Sequence, residues 1–450
     1  MSALALTPIA AAARLAGRPG RVLCHAAADV DGERGSVVAA EPRATLTVWP
    51  DRIERRTAAG VTVERGDPIA AIDGFLAAHA GALTDGGPRR PRVVGYLGYD
   101  LGRAIERLGP RPPGPALPDA WLAAYPAVAW WPGASPHGEV IGDDPAAIAA
   151  LAAALAAGPT TLGPPPRLGA LAADHDGAHH ARGVAAIRDY IERGDVYQVN
   201  LARRLTAPIT AAGDALALYA ALHAVAPAAY GGVLEADGVT VVSGSPECFL
   251  RRAGERLVTM PIKGTRRRTG AADADRAARA DLHDHPKDAA EHLMIVDLER
   301  NDLGRIAALG SVAVDELGAV VALPALFHKV STVSATPRPA TTWAALLRAT
   351  FPGGSITGAP KIRAMQIIDE LEPVARGPYC GALGWFGSGG ALDLAIAIRI
   401  AALTSGVVTP ATLAVHVGGG IVADSEPAAE LAETEDKAAG WRAALALLGR

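Results

Sequence analysis

The sequence has few cysteines, no excess of basic charge and no long uninterrupted apolar run. Its three cysteines, Cys24, Cys248 and Cys380, are widely separated and form no CxxC pair, which argues against a disulfide framework or a zinc site. We therefore expect a protein of a reducing, cytoplasmic compartment. The 43 Lys and Arg residues are balanced by 47 Asp and Glu residues, so no global basic field points to nucleic acid as a partner.

Two apolar stretches could be mistaken for targeting or membrane segments. The N-terminal stretch 1–17 has no basic region at its start and contains Arg14, so we interpret it as mature chain rather than as a signal peptide. The alanine-rich run from Pro145 to Gly158 is shorter than the roughly 20 residues of a transmembrane helix. We therefore expect no membrane partner.

With 450 residues the chain can form two or three domains, or one large sheet structure with a shared core. The stretch from Pro132 to about His180 is rich in Pro, Gly and Ala, and Gly163 to Pro166 is its best linker candidate. We therefore predict an N-terminal region with its linker over residues 1–165 and a second region over residues 166–450.

Hydrophobic periodicity predicts a mixture of short strands and helices. Residues 21–49 indicate short strands separated by Gly and Pro, and Asp67 to His79 indicates an apolar helix. Another helix is predicted from Ala181 to a turn at Gly194. A strand from Val239 to Ser243 ends shortly before Glu247, a position at which scaffold-held functional groups are common.

The stretch MPIKGTRRR, Met260 to Arg268, places Lys263 in a short loop that is bounded by Pro and Gly and followed by arginines. A lysine is nucleophilic only when neutral, so its pKa must fall from about 10.4 toward ~7 to 8. Burial, or neighbouring cations such as Arg266 to Arg268, would lower it. The alternative is a solvated basic turn, and this stretch alone does not decide between the two.

Two predicted helices carry carboxylates on one face. In the helix from Lys287 to Asp302, Glu291 begins a face that continues through Ile295 and Leu298, so its ionised form needs a cation or a metal as partner. A helix-end salt bridge with Lys287 or His292 is the alternative.

Near the C-terminus, Glu430, Glu433 and Lys437 share a helix face at spacings of three and four. Paired carboxylates without His or Cys suit a hard cation such as magnesium. An i,i+4 ion pair between Glu433 and Lys437 is the simpler explanation.

The segment from Ala391 to Ala401 alternates between large aliphatic residues and small or polar ones, which predicts one continuous strand. Arg399 lies on the face of small residues, where it has room to contact a ligand carboxylate. The alternative is an ion pair with an acid of another strand. Asp393, roughly 20 Å away along such a strand, is too far to be that acid.

Two glycine-rich stretches invite a phosphate-binding interpretation. A predicted strand from Leu413 to Val417 leads into Gly418, Gly419 and Gly420, whose backbone N–H groups would be able to approach an anion, although a simple turn is the alternative. The stretch FPGGSITGAPKIRAM, 351–365, lacks the G-x-x-x-x-G-K-[ST] pattern, and we predict a turn followed by an amphipathic helix.

Taken together, these segments resemble the chorismate-utilising enzymes, and among them the large subunits of aminodeoxychorismate synthases. The resemblance is carried by YQVNL (197–201), SPE (245–247), PIKGTR (261–266), KDAAEHLMIVDLERNDLGR (287–305), FPGGSITGAPKIRAM and GGGIVADSEPAAELAETEDK (418–437), and more loosely by VVAAEPRATLTV (37–48) and GYLGYDLGRAIE (95–106). It implies an α+β fold like that of anthranilate synthase component I, with stacked, largely antiparallel sheets flanked by helices. Residues 166–450 would form the chorismate-binding catalytic domain.

Two positions separate branches of this family. Members that add water to chorismate typically have a lysine as general base at the position of Gln198, whereas ammonia-using members resemble this chain. Anthranilate synthases typically have alanine at the position of Lys263, and aminodeoxychorismate synthases have lysine. The resemblance therefore implies formation of 4-amino-4-deoxychorismate, the precursor of p-aminobenzoate and folate. Anthranilate synthase component I and a non-catalytic chorismate- or amino-acid-binding subunit are the alternatives.

The resemblance also implies a role for each matched residue. Lys263 would add to ring carbon 2 of chorismate while the hydroxyl on carbon 4, protonated by Glu247, leaves; ammonia would then enter at carbon 4 and expel the lysine. Glu291 and Glu433, with Glu430 nearby, match ligands of a magnesium ion that holds the ring carboxylate. The remaining matched positions contact the substrate carboxylates or line the ring pocket: Arg399, Tyr379, Lys437, Gly418, Gly419, Gly420, Thr265 and His328.

Ammonia needs a source outside the motifs of this chain. None of the cysteines has the G-x-C-x-G setting of the usual glutamine amidotransferase nucleophile, so the resemblance implies a separate glutamine amidotransferase subunit that docks and channels ammonia. Ammonia-using relatives often bind tryptophan near a Leu-Leu-x-Ser segment. This chain has Leu23, Cys24, His25 and Ala26 there, and the missing serine hydroxyl puts such binding in doubt.

Overall fold

The computed structural model describes residues 4–27, 34–83, 90–115, 117–133, 135–323, 326–404 and 411–449. The strands in these ranges are β1 Val22–His25, β2 Gly35–Ala39, β3 Ala44–Val48, β4 Ile53–Thr57, β5 Gly60–Glu64, β6 Pro91–Leu97, β7 Ala120–Ala124, β8 Ala127–Pro132, β9 Glu139–Gly142, β10 Arg167–Leu168, β11 Ala172–Ala173, β12 Gln198–Ala211, β13 Tyr230–Ala236, β14 Val239–Ser245, β15 Cys248–Ala253, β16 Arg256–Met260, β17 Ile262–Arg267, β18 Ala313–Ala322, β19 Leu326–Ala335, β20 Gly358–Ala359, β21 Ala382–Gly387, β22 Leu392–Ile396, β23 Ile400–Thr404 and β24 Thr412–Ile421. The α-helices are α1 Pro8–Arg14, α2 Pro68–Ala80, α3 Pro145–Ala157, α4 Gly177–Glu192, α5 Ala215–Val225, α6 Ala272–Asp284, α7 Pro286–Gly304, α8 Trp343–Thr350, α9 Lys361–Leu371 and α10 Pro427–Leu447.

The strands form two 12-stranded sheets. The first has the order β10-β12-β24-β23-β14-β13-β1-β2-β8-β9, with β11 and β20 also paired to β12. The second has the order β17-β19-β16-β15-β22-β21-β6-β7-β3-β4-β5, with β18 paired to β19. Neighbouring strands in both sheets run antiparallel, for example β12 with β24 and β15 with β22. The predicted α+β class with largely antiparallel sheets is confirmed.

Each sheet contains strands from both regions predicted from the sequence. In the first sheet β1 pairs with β13, and in the second sheet β6 pairs with β21. The boundary at residue 165 stays a prediction, and the two regions share both sheets across it.

Local sequence patterns predicted several single helices and strands correctly. The predicted strands of residues 21–49 are β1, β2 and β3, and the helix from Asp67 is α2, whose first turn is capped by the Asp67 carboxylate. The helix predicted from Ala181 lies within α4, and the glycine-rich turn of residues 351–360 precedes α9.

Two apolar cores hold the layers together. One core contains Val22 and Val37 with side chains of the second sheet such as Trp385. The other contains Leu23 and the Trp441 side chain of α10, together with α1, α3 and α5. Adjacent residues of β1 enter different cores because neighbouring side chains on a strand point to opposite faces. Within the described ranges, no helix is long and apolar enough to cross a membrane.

Two of the places at which the chain crosses between the two sheets lie side by side. The first crossing, residues 246–247, leads from β14 of the first sheet to β15 of the second, and the return crossing, residues 397–399, leads from β22 to β23. The Ile396 N–H donates to the carbonyl of Glu247 at 3.0 Å, and the Gly244 N–H donates to the carbonyl of Arg399 at 3.1 Å. Glu247 and Arg399 are therefore neighbours at the junction of the sheets.

The prediction of one continuous strand from Ala391 to Ala401 was wrong. Arg399 has a φ of +51°, in the left-handed region that breaks an extended strand. Residues 391–397 are buried, so their alternation reflects side-chain size and not exposure of one face. Asp393 lies 3.4 Å from the Arg34 guanidinium and forms an ion pair with it. This agrees with the prediction that Asp393 does not pair with Arg399.

Candidate active site

Lys263 lies on a strand and not in the loop that its Pro and Gly neighbours suggested. It belongs to β17 and faces Lys329 of β19. The register of this pair shifts between Lys263 and Thr265, where Gly264 adopts a φ of +76°. A glycine at this position allows the bulge without steric cost, and the half-buried Lys263 side chain is held by the sheet.

The charges that act on Lys263 identify its surroundings. Burial has the largest influence and lowers the pKa of Lys263. The positive charge of Lys437 lowers this pKa further. The carboxylates of Glu247, Glu291 and Glu433 raise it and so oppose the decrease. Four residues from three distant parts of the sequence, 247, 291 and 433–437, are thus close enough to influence one ammonium group. The structure brings these predicted site residues together.

The arginines after Lys263 are engaged elsewhere. Arg266 donates to Asp281 at 2.5 Å and to Asp288 at 2.9 Å. Arg268 donates to the carbonyl of Leu323 at 2.6 Å. Of the causes that the sequence left open, burial is therefore the main one, and the nearby cation that lowers the pKa of Lys263 is Lys437 rather than an arginine of this cluster.

Glu247 is a buried acid at the first crossing, with 5% of its surface exposed. Burial raises the pKa of its carboxyl group, and the Ser355 hydroxyl and Lys263 partly oppose this increase. Ser355 is close enough to exert this influence, although its Oγ and the Oε1 of Glu247 form no hydrogen bond of normal geometry with the described residues. A carboxyl group whose pKa is raised by burial holds its proton more readily than an exposed one, which suits a general acid.

Gln198 is the first residue of β12 and is fully buried. Within the described ranges, neither the Oε1 nor the Nε2 of its amide has a hydrogen-bond partner. A buried polar group without a partner costs about 1 to 3 kcal/mol, which is offset when a polar ligand binds there. The side chain is directed at Gly420, since a Cβ atom added to this glycine would lie 2.7 Å from Nε2.

The three glycines are part of a strand. Their pairing with Ala202, Leu201 and Asn200 of β12 carries β24 on to Ile421, so the prediction that the strand ends at Val417 was wrong. A glycine run carries no side-chain periodicity from which an extended conformation can be recognised.

One edge of this strand segment faces the cluster. The carbonyl of Gly418 accepts a hydrogen bond from Lys437 Nζ at 2.7 Å, so it points away from β12. The N–H groups of Gly418 and Gly420 point the same way, because N–H and C=O directions alternate along a strand. Among the described residues, β23 pairs with β24 at 413–415, before the glycines. This edge is thus placed to donate backbone hydrogen bonds to an anion.

Two carboxylates of α10 converge on Gly419. A Cβ atom added there would lie 3.2 Å from Glu430 Oε2 and 3.3 Å from Glu433 Oε1. The Ser425 hydroxyl donates to Glu430 at 2.6 Å, and Lys437 donates to Glu433 at 2.5 Å. The simple i,i+4 ion pair is therefore present, and it lies at the place that the magnesium hypothesis requires.

The donor chemistry of these two acids suits magnesium. In the described part of the chain, no three His, Cys, Asp or Glu side chains gather closely enough to hold a metal ion. Magnesium commonly takes only one or two protein carboxylates, with water and substrate oxygens as its other ligands, and Glu430 with Glu433 matches that set. Glu291 on α7 stays a predicted third ligand. His292, one alternative partner for it, has its Nε2 2.5 Å from Ser331 Oγ; the Lys287 side chain lies outside the described residues.

A second small group of predicted residues flanks the junction of the sheets. Thr265 Oγ1 lies 2.9 Å from His328 Nδ1, across the β17 and β19 pair. Burial, and secondly the charge of Arg399, lowers the pKa of His328 to about 4, so its imidazole is neutral at pH 7. Burial also lowers the pKa of Arg399, and the nearby Glu247 opposes this decrease. Arg399 is thus near both Glu247 and His328.

Tyr379 is buried and stacks on His416, with ring centroids 5.2 Å apart. Burial lowers the pKa of His416 to about 3. The predicted contact of Tyr379 with a substrate carboxylate stays a prediction.

Sequence reasoning missed three residues, namely His416, Ser355 and Glu299. Ser355 lies within FPGGSITGAPKIRAM, where the glycines indicated a turn and gave no sign that the serine would be placed beside Glu247. Glu299 lies on the same helix as Glu291, four residues after Ile295 and three before Asp302, so the helical spacing that grouped those residues was also the signal for Glu299.

Comparisons with known proteins show the family to which this chain belongs. A family model described as chorismate binding enzyme matches residues 24–442. The chain is 39% identical over 435 residues to aminodeoxychorismate synthase component 1 of Klebsiella aerogenes, covering 94% of this chain and 93% of that protein. It is also 39% identical over 391 residues to anthranilate synthase component 1 of Thermus thermophilus, covering 85% of this chain and 83% of that protein.

A solved structure shows the same fold. Anthranilate synthase component I from Streptococcus pneumoniae matches with a TM-score of 0.78 and 29% identity, covering 91% of this chain and 92% of the other. The predicted fold is thereby confirmed. Because the family match runs from residue 24 to residue 442 and takes in both sheets and every residue of the site, the chain belongs to the chorismate binding enzymes and is a chorismate-utilising enzyme.

Proposed function

We propose that this chain converts chorismate and ammonia into 4-amino-4-deoxychorismate and water. The observation that carries the proposal is the half-buried Lys263, whose pKa is lowered mainly by burial, in the electrostatic neighbourhood of the buried acid Glu247. A relative named aminodeoxychorismate synthase component 1, which matches over 94% of this chain, supports the same reaction.

The reaction needs Lys263 neutral and Glu247 protonated at the same time. Lys263 Nζ forms a bond to ring carbon 2, both ring double bonds shift by one position, and the bond between carbon 4 and its hydroxyl breaks. Glu247 gives its proton to that hydroxyl, which departs as water. Ammonia then bonds to carbon 4, both double bonds shift back, and the bond between carbon 2 and the lysine nitrogen breaks, which releases Lys263 as its amine. Burial favours the neutral form of both groups.

The amide of Gln198 gives a reason for ammonia as the nucleophile. Its carbonyl oxygen is able to accept a hydrogen bond from ammonia, and its buried position leaves this acceptor in need of a donor. An amide is not a base at neutral pH, so it does not convert water into hydroxide. We infer that the side chain orients ammonia and leaves water unactivated.

Cations and backbone donors hold the substrate in this proposal. Glu430 and Glu433, with Glu291, would hold a magnesium ion that neutralises the ring carboxylate. Arg399 suits a carboxylate through its planar guanidinium, and the N–H groups of Gly418 and Gly420 point the same way as the carbonyl that Lys437 contacts.

A separate glutamine amidotransferase subunit is the proposed source of ammonia, in line with the designation component 1 of the Klebsiella relative. We place the reaction in the cytoplasm, where its product leads to p-aminobenzoate and folate. The three cysteines are free and buried, in keeping with a reducing compartment.

The test uses the purified chain with chorismate, magnesium chloride and ammonium chloride, followed by aminodeoxychorismate lyase. We expect p-aminobenzoate as the main product, and we expect Lys263→Ala to abolish it. Lys329→Met is the matched control, because Lys329 faces Lys263 across the strand pair; this variant should retain p-aminobenzoate formation. Anthranilate as the main wild-type product, or an active Lys263→Ala variant, would overturn the assignment.

A further inference from the structure

A small polar cavity lies beside β15, the strand that follows Glu247. It has room for about one water molecule, and its polar lining consists of Thr259, Glu299, Asp302 and Thr350. Cavities with several polar groups commonly hold ordered water, which makes about three hydrogen bonds to its surroundings. The proposed reaction does not use these four residues.

Glu299 is the unusual member of this lining. It lies on α7 with 7% of its surface exposed, and its Oε2 is 2.6 Å from Thr259 Oγ1. Burial, the largest influence, raises the pKa of Glu299 to about 8. The charges of Glu247 and Asp302 add to this increase. The Thr259 hydroxyl and Lys361 oppose it. At neutral pH this buried group therefore carries a proton.

We call Glu247, Glu299 and Asp302 a row of acids, because the charges of Glu247 and Asp302 both act on Glu299. At one end, Gly354 lines the cavity. The next residue, Ser355, has a buried hydroxyl that lowers the pKa of Glu247 and so opposes the effect of burial on that carboxyl. At the other end, Asp302 accepts a hydrogen bond from Lys361 Nζ at 2.5 Å. The Lys361 side chain is 11% exposed, so this end is closer to solvent than the fully buried Gln198.

We propose that Glu299 is a proton-relay residue, which returns a proton to Glu247 through cavity water and the Ser355 hydroxyl after Glu247 has protonated the leaving hydroxyl of chorismate. In this step the O–H bond of the Glu299 carboxyl breaks and an O–H bond forms on the Glu247 carboxylate. Glu299 then takes a proton from solvent at the end marked by Asp302 and Lys361. Protons move one position along the row, and no oxidation or reduction occurs. The inference rests on the proposed function in one respect, namely that Glu247 is the acid.

Two physical arguments favour this route. Glu247 is buried, and with chorismate bound its active-site side is covered by substrate, so direct exchange with bulk water is hindered. Burial raises the pKa of both carboxyls, so the Glu247 carboxylate that forms in the reaction is disfavoured in its buried position and is driven to regain a proton.

The test compares Glu299→Gln with wild type in the presence of magnesium and ammonium. Glutamine keeps the size of the side chain and its contact with Thr259 but does not relay a proton. We expect the first turnover, measured by rapid quench with enzyme in excess over chorismate, to stay within about twofold, because one turnover uses only the proton that the proposed mechanism places on Glu247 at the start. Steady-state turnover should fall at least about tenfold, since proton transfer contributes on the order of 10²-fold or more to catalysis.

Two further variants complete the comparison. Glu299→Asp retains a titratable group and should recover part of the steady-state rate. Asp297→Asn is the matched control, because Asp297 lies on the same helix but is exposed and paired with Arg300 at 2.7 Å; both phases should be unchanged. Equal loss in both phases of Glu299→Gln would indicate a purely structural role, and unchanged turnover would mean that Glu247 regains its proton elsewhere. Either outcome overturns the proposal.

An activity-independent measurement accompanies these kinetics. Infrared difference spectra should show a protonated carboxyl band that is lost with a midpoint of about 8 in the wild-type protein and is missing in Glu299→Gln. Absence of this band from the wild-type protein at neutral pH would also overturn the proposal. Kinetics are followed by chorismate disappearance, so a wild-type enzyme that makes anthranilate refutes the proposed function and leaves the relay test intact.

Discussion

The contact between Gly420 and Gln198 provides a direct test of the site geometry. A Cβ atom at Gly420 would lie 2.7 Å from Nε2 of Gln198 and 3.0 Å from its Cδ, whereas ordinary contacts begin at 3.4 Å. In Gly420→Ala the amide must therefore move by about 0.7 Å, the difference between these two distances. Since Gln198 is fully buried, this movement displaces the group that is proposed to orient ammonia.

The expected effect is large on turnover and small on folding. A misplacement of about 1 Å costs on the order of 10²-fold in rate, so we expect a loss of about 10- to 100-fold in ammonia-dependent turnover. Gly420 does not have a positive φ, so alanine is compatible with its backbone. The gain of about 0.4 to 1 kcal/mol from a less flexible unfolded chain offsets part of the packing strain of about 1 to 3 kcal/mol, and the protein should remain folded.

The assay varies ammonium at saturating chorismate and magnesium. Gly420→Ala should raise the KM for ammonium and lower kcat, with little change in the KM for chorismate. Gly419→Ala is the matched control, because its Cβ would meet Glu430 at 3.2 Å and Glu433 at 3.3 Å instead; it should alter the magnesium requirement and leave the KM for ammonium unchanged. Wild-type ammonium kinetics in Gly420→Ala, in a protein with unchanged thermal stability, would refute the placement of ammonia at Gln198.

Two predictions concern stability, and urea denaturation measures both. Burial holds the pKa of His416 at about 3 in the folded protein, whereas the unfolded chain has a value of about 6.5. The contribution of neutral His416 to the stability of the fold is therefore complete above pH ~6.5. It is lost as the pH falls below that value, by up to about 1.4 kcal/mol per pH unit. His416→Phe should flatten the decline between pH 6 and pH 4, and an unchanged slope would contradict this. Arg376→Met breaks the buried ion pair with Glu372 (2.6 Å) and should lower the free energy of unfolding by about 3 to 5 kcal/mol. Adding Glu372→Leu should recover a large part of this loss, because no unpaired charge then remains buried. If Arg376→Met is as stable as wild type, the pair does not stabilise the fold.

Single elements were predictable because their signals are local. The spacing of Glu430, Glu433 and Lys437 defines a helix face by itself, and α10 places all three residues beside the glycines of β24. The spacing of Glu291, Ile295 and Leu298 likewise matches one face of α7. The function assigned to Lys263 came from family resemblance and not from its own surroundings, since the adjacent arginines are paired with acids of α6 and α7.

The remaining features depend on which distant segments meet. Alternation in residues 391–401 indicates extended chain but does not say that β22 and β23 belong to different sheets. Ser355 is placed beside Glu247 only by the three-dimensional fold, more than a hundred positions away along the chain. Likewise the relation between Glu299 and Glu247 depends on α7 packing near β16, which no periodicity in either segment reveals.

The two neighbouring crossings at Glu247 and Arg399 determine how this site is able to change during evolution. Three residues, 397–399, separate β22 from β23, and hydrogen bonds from this short connection to Gly244 and Gly381 hold it on both sides. Adding or removing one residue there would shift β23 by one position and turn its inward side chains outward, since strand side chains alternate with a period of two. The length of this connection is therefore fixed, and we expect that related chains diversify here by exchanging side chains and not by gaining or losing residues.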